Sequence, residues 1–193
     1  MVAKPKVFEG GRDMVFTLIV VVAVMVGFVL PTGLCSFEPG RPEGGPVQEV
    51  DEASFLELEA RSMPFAVRLP ERPEGWTANS ARRLQVDGEP GAAVGYITAD
   101  DGYLRLVQTG APAEGAAGLD GAFREPAGEE SLPGGATAEV FADPNGDARD
   151  VWVVDAGDAR LMVSGAATDE ERAELFSAAL DADPLPGGEP AQG

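Results

Sequence analysis

From Met14 to Phe37 the chain carries no charged side chain, and its first part, MVFTLIVVVAVMVGFVL (14–30), is apolar on every side when wound as a helix. A helix on a water-soluble core keeps a polar stripe, so an all-round apolar run belongs in lipid or deep inside a large protein. A chain of 193 residues offers room for one domain plus an anchor and tails. The run therefore reads as a transmembrane signal-anchor helix over 14–34. It rises roughly 26 Å by Leu30 and is completed by the uncharged residues that follow. Lys4, Lys6 and Arg12 precede it and only Arg41 follows closely. That imbalance places 1–13 in the cytoplasm and the rest of a single-pass chain outside the cell membrane. A cleaved signal peptide fits less well, because the run exceeds the usual apolar core of such peptides and no small-x-small site follows it. Cys35 comes after Leu34 rather than a small residue, which argues against lipoprotein attachment and leaves the state of the thiol open.

The charge balance then limits the outer part. There are 33 acidic and 14 basic residues, net -19, and removing 1–13 leaves 11 basic against 31 acidic groups, net -20. Such a surface repels phosphate backbones, so nucleic acid is not an expected partner. Whether the acidity does more than solubilise is left open. No histidine occurs and Cys35 is the sole cysteine. A Ser-His-Asp triad, a His-activated thiol, a His-containing zinc site and an internal disulfide are all excluded. No cofactor, metal or catalytic residue is assigned.

Proline and glycine crowd the stretch up to Pro46, so 35–50 reads as a linker. Turn chemistry and alternation then predict an α+β domain over 51–181, a mainly antiparallel sheet with flanking helices. A first helix is expected over 52–61 with Asp51 as its cap and Phe55 and Leu58 facing inward. Strands follow around Leu84–Val86, Val94–Thr98, Tyr103–Gln108, Thr137–Phe141, Val151–Val154 and Arg160–Ser164. The Gly- and Ala-rich stretch 110–135 is expected to be weakly structured. Thr168 with Glu171 forms a capping box for a last helix with Ala173, Phe176 and Leu180 on one face. The tail 182–193 reads as disordered. The expected core is Phe55, Leu58, Leu84, Val86, Leu104, Leu106, Trp152, Val154, Leu161, Val163, Phe176 and Leu180.

Several segments carry a resemblance: Gly11–Met14 before the apolar run, Gly75–Trp76 leading to Ser80–Arg82, the run 94–111, and Trp152 ahead of the last strand and helix. They are similar to a group of actinobacterial single-pass membrane proteins with an extracytoplasmic domain of unknown function. The resemblance covers roughly Gly11 to Leu180. It implies the topology argued above and supplies no catalytic residue. The element order is also similar to the Mog1 and photosystem-protein fold.

Asp143, Asn145 and Asp147 have the alternate spacing of a calcium loop, but an EF-hand needs glycine and glutamate where Ala148 and Val154 stand, so a hairpin turn is expected. Asp100–Asp101 and Asp155 with Asp158 are likewise explained as turn residues. Trp76, at the entry to the first strand, suits a core plug better than a ligand platform. Tyr96 and Tyr103 flank the Asp100–Gly102 turn, placed either to stack across the hairpin or to face a partner. Arg82 and Arg83 are the only adjacent basic pair, an ion-paired surface or an anchor for an acidic partner. Trp76, Arg82, Arg83, Tyr96 and Tyr103 are thus the candidate partner-binding residues. The expected function is a membrane-anchored extracytoplasmic domain that binds or assists an envelope protein and contacts the bilayer through 14–34. The alternatives are a small-ligand carrier, or a hydrolase or metal-dependent enzyme working through carboxylates.

Overall fold

Turn residues cut the chain beyond residue 50 where the sequence alternation predicts. Asp87 and Gly88 both take positive φ, 49° and 83°, the geometry of a tight hairpin turn, and join β1 (Thr77–Val86) to β2 (Glu89–Ile97). Thr98 closes the next turn by accepting the Gly102 N–H at its hydroxyl, and β3 (Tyr103–Thr109) returns along β2. A second meander comprises β4 (Glu125–Ser131), β5 (Thr137–Ala142), β6 (Val151–Asp155) and β7 (Arg160–Ala166). Antiparallel pairing of β3 with β7 joins the two into one seven-stranded sheet, ordered β1-β2-β3-β7-β6-β5-β4. This computed structural model describes residues 11–29 and 48–187, in two units, Met1–Gly45 and Pro46–Gly193.

Alternation along the strands gives the sheet two different faces. On one, Val94, Tyr96, Leu104, Leu106, Val154, Leu161 and Val163 pack under two helices, α2 (Glu52–Ala60) and α3 (Asp169–Asp181). Both helices start at the caps read from the sequence: Asp51 accepts the Ser54 N–H at 2.9 Å, and Thr168 and Glu171 complete their reciprocal box. Arg172 fastens α3 to the sheet, stacking 3.8 Å from the centroid of Trp152 and donating to Glu130 at 2.9 Å, while the Trp152 Nε1–H donates to the same carboxylate. On the other face, Val86, Ala93, Val107, Phe141, Val151, Val153 and Met162 pack under a 3-10 segment, Ala113–Gly121, that contributes Ala116 and Leu119.

Four expectations need correction. Leu58 is 64% exposed, because α2 is phased by Leu56 and Ala60, which place Leu58 on the far side. Trp152 is half-buried rather than sealed in the core, its ring shared between the sheet and Arg172. The stretch 110–135 is structured, holding the 3-10 segment and β4, an edge strand with Glu125, Pro126, Ala127, Gly128 and Glu129 all exposed. The beginning of the tail is docked: the Leu185 N–H donates to the Val67 carbonyl at 2.7 Å and Pro184 bridges to Arg68, while 188–193 lie outside the described residues.

The other unit contains α1 (Gly11–Val29), 19 residues long. Its side chains from Met14 to Met25 are all exposed. Among the described residues no helix is long and apolar enough to cross a membrane. The charge-free part of α1, Met14–Val29, rises about 24 Å against roughly 30 Å of hydrocarbon, and residues 30–34 of the expected span lie outside the described residues.

The phase of α2 predicts two unequal truncations. Leu56→Ala should cost about 2–5 kcal/mol, whereas Leu58→Ala should stay within about 0.5 kcal/mol, as read from urea unfolding midpoints. A larger loss for Leu58→Ala than for Leu56→Ala would place the helix in the phase first expected from Phe55 and Leu58.

Candidate functional site

The 3-10 segment covers only one end of its face of the sheet. Beyond it the same face carries polar side chains: Arg82 on β1, Tyr103 and Arg105 on β3, and Ser164 on β7, with Arg105 and Ser164 in register. Together with Asp120, Ala122, Arg124, Ala148, Arg149 and Gly165, residues from this end line a groove of about 270 Å³. Two glycines shape it. At Gly95 a Cβ would run into Ser80 Oγ and Tyr103 Oη, so the missing side chain lets the tyrosine lie across β2. At Gly165 a Cβ would strike the backbone of Tyr103, so β7 can close on β3 here only without one.

Arginine dominates the charge of this groove. Arg105 forks onto Asp120, Nη1 donating to Oδ1 at 2.9 Å and Nη2 to Oδ2, and Nη2 also reaches Ser164 Oγ at 3.2 Å. Its Nε is buried with no partner among the described residues, a donor whose isolation costs about 1–3 kcal/mol. Arg124, only 4% exposed, spends its donors on carbonyls: Nε on Arg149 at 2.6 Å and Nη1 on Leu119 at 2.9 Å and Ala116 at 3.4 Å. It thus ties the 3-10 segment to the β5–β6 loop, and burial pulls its pKa below the ordinary arginine value. Arg149 and Arg82 are exposed.

The pairing pattern sets this cluster apart. Of the ten arginines between residues 48 and 187, six hold a carboxylate within 4.0 Å. Arg61, Arg82, Arg124 and Arg149 form no ion pair among the described residues, and three of those four belong to the groove or its rim. In a chain with more than twice as many acids as bases, cations left without acids at one place are a specific arrangement. Besides Asp120, Asp143 and Asp150 act on Arg124 only through space. Asp143 is already engaged, accepting the N–H groups of Asn145, Asp147 and Ala148, and the first of these is the chief cause of its lowered pKa. The calcium-like loop is therefore a turn closed on its own first aspartate. Among the described residues no three acidic, cysteine or histidine side chains gather as a metal site.

The side chains singled out in the sequence divide between the two faces. Trp76 and Tyr96 are buried under the helices with ring centroids 6.2 Å apart, and burial pushes the Tyr96 phenol up. Arg83 faces the same way and pairs with Glu59 at 2.7 Å. Tyr103 and Arg82 lie on the groove side. Tyr96 and Tyr103 do not stack, because the register sets Tyr96 opposite Leu104 and Tyr103 opposite Ile97. The sequence reading missed Arg105, Arg124 and Arg149. Their signal lay in arginines placed far apart in the chain, at 105, 124 and 149, which only the β3–β7 pairing and the 3-10 crossover gather.

The fold and groove define an α+β domain built on a single antiparallel sheet, helices on one face and an arginine-lined recess on the other. The sequence matches the family described as "Protein of unknown function (DUF4245)" over residues 6–179, and the chain belongs to that family. The matched region includes α1 as well as nearly the whole folded domain. No curated protein and no solved structure matches the chain.

Asp120 supplies a pH test of the groove. Its carboxyl lies below the usual carboxylate range, chiefly through the hydrogen bonds from Arg105 and further through the charges of Arg105, Arg82 and Arg124. A depressed folded pKa means that the bridge contributes fully above the unfolded carboxylate value and is lost as pH falls through the folded one. Carboxyl-detected NMR should find the Asp120 midpoint below those of exposed aspartates, and Arg105→Gln should return it toward them. An unshifted midpoint in the parent chain would remove the fork.

Proposed function

We propose that this protein is a membrane-tethered, extracytoplasmic binding domain of the cell envelope, and that its ligand groove is the arginine-lined end of the sheet. The observation that carries the binding assignment is the set of cations at that recess with no carboxylate partner, in an otherwise strongly acidic domain. Chemistry supports binding over catalysis. Arginine stays charged and cannot exchange protons near neutrality, histidine is absent, and Asp120 is held ionised rather than poised as a general acid. The space between sheet and helices, where an apolar-ligand carrier would need a cavity, is filled by the larger core cluster.

The tether rests on α1 and the uncharged residues after it. Met14, Phe16, Leu18, Ile19 and Met25 are each more than half exposed, a surface that water penalises and lipid does not. The charge-free sequence runs on to Phe37, enough to complete a crossing that the helix alone leaves short. Lys4, Lys6 and Arg12 favour a cytoplasmic N-terminus.

Two measurements test the two halves of the reading. With Cys35 replaced and a cysteine added after Gly193, a membrane-impermeant thiol reagent should label intact cells; protection until lysis would reverse the orientation. A photoreactive residue at Phe123, which is 65% exposed beside Arg124, should give a light-dependent mass adduct in intact cells, while one at Glu57 on α2 should not. Equal adducts at both positions would remove the groove as the binding site.

A further inference from the structure

We infer that the groove binds the phosphate group of a small, soluble phosphate monoester, which takes the place of Asp120 on the Arg105 fork. This rests on the binding reading above and names its ligand.

Four features narrow the ligand to that class. The site is already shaped for an oxyanion, because the Asp120 carboxylate occupies Arg105 through two parallel hydrogen bonds. Among the described residues Asp120 is also one of three non-glycine residues with positive φ, 61°, at the kink of the 3-10 segment, so the occupying group sits on a turn rather than on a strand. More cation is present than one carboxylate uses: Arg149 lines the groove, Arg82 acts on Asp120 through space, and the Arg105 Nε is buried without a partner among the described residues. Several guanidinium groups on different elements suit a dianion with three acceptor oxygens better than a single planar carboxylate, which one fork satisfies. A volume of about 270 Å³ admits a small molecule.

The charge of the whole domain decides between sources of the same chemistry. A phosphate could arrive on a lipid headgroup or on a soluble ester. The region beyond residue 13 is net -20, so approach to an anionic bilayer is opposed, whereas one small dianion can enter a local positive recess. Phe123, 65% exposed, lies between Ala122 and Arg124 in the sequence, both of which line the groove.

Isothermal titration of the full chain in a zwitterionic detergent with phenyl phosphate tests the inference. Saturable binding is expected, with inorganic phosphate weaker. Arg105→Gln and Arg149→Ala should each weaken it about tenfold or more, and Arg61→Ala, away from the groove, should leave it unchanged. Arg149→Ala guards against misfolding, since the structure uses the Arg149 backbone carbonyl rather than its exposed side chain. Asp120→Asn should tighten binding, because asparagine keeps the left-handed turn and gives up the competing charge. No saturation by about 10 mM, groove variants no different from Arg61→Ala, or weaker binding by Asp120→Asn would each overturn the inference. Stronger association with phosphatidylglycerol vesicles than with phosphatidylcholine vesicles, lost in Arg105→Gln, would overturn the soluble source. A flat titration alongside a Phe123-specific adduct would sink the ligand class alone, and failure of both would sink the binding reading.

Discussion

The pairing of β3 with β7 is the contact on which the rest of this domain depends. Each meander alone could form from local turns, but neither has two covered faces until the seven residue pairs from Tyr103↔Ala166 to Thr109↔Arg160 bring them edge to edge. That join builds both cores at once, setting Leu106 beside Val163 on the helix side and Val107 beside Met162 on the other. It also sets Arg105 beside Ser164, so the geometry that closes the sheet makes the floor of the groove. The lack of a side chain at Gly165 permits this approach.

Around that join, polar side chains hold the coverings in place. Gln108, almost fully buried, accepts the Arg68 N–H and donates to its carbonyl, each at 2.7 Å, acting as a strand neighbour for a segment that is not in the sheet. Arg172 pins α3 through a ring and a carboxylate, and Arg124 pins the 3-10 crossover through three carbonyls. Buried arginine is costly unless its donors are spent. Arg124 makes three such bonds, whereas the Arg172 Nε is buried with no partner among the described residues.

Local signals in the sequence carried the fold a long way. Both helix caps, the Asp87–Gly88 turn and six of the seven strands follow from side-chain chemistry within a few residues. What failed was whatever depended on distant partners. Leu58 reads as apolar and inward until Leu56 and Ala60 are seen to set the phase of α2, while β4, made of Glu, Pro, Ala, Gly and Ser, has no strand-like residue and pairs in the sheet with β5 alone. The groove was half legible for the same reason. Arg82 stood out as half of an adjacent basic pair and Tyr103 beside a turn, but Arg105, Arg124 and Arg149 look like ordinary surface residues until the topology collects them.

The composition of β4 has a consequence for self-association. A sheet edge presents unpaired backbone groups that invite another strand, and growth from edge to edge is the usual route to fibres. At this edge Glu125 and Glu129 project outward, Pro126 removes a donor, and the register shifts between Pro126 and Gly128. Two copies meeting there would oppose carboxylate to carboxylate across a bent, interrupted strand. The residues that hid β4 from sequence reading thus also stop the sheet at seven strands, a safeguard written into the composition of the strand itself.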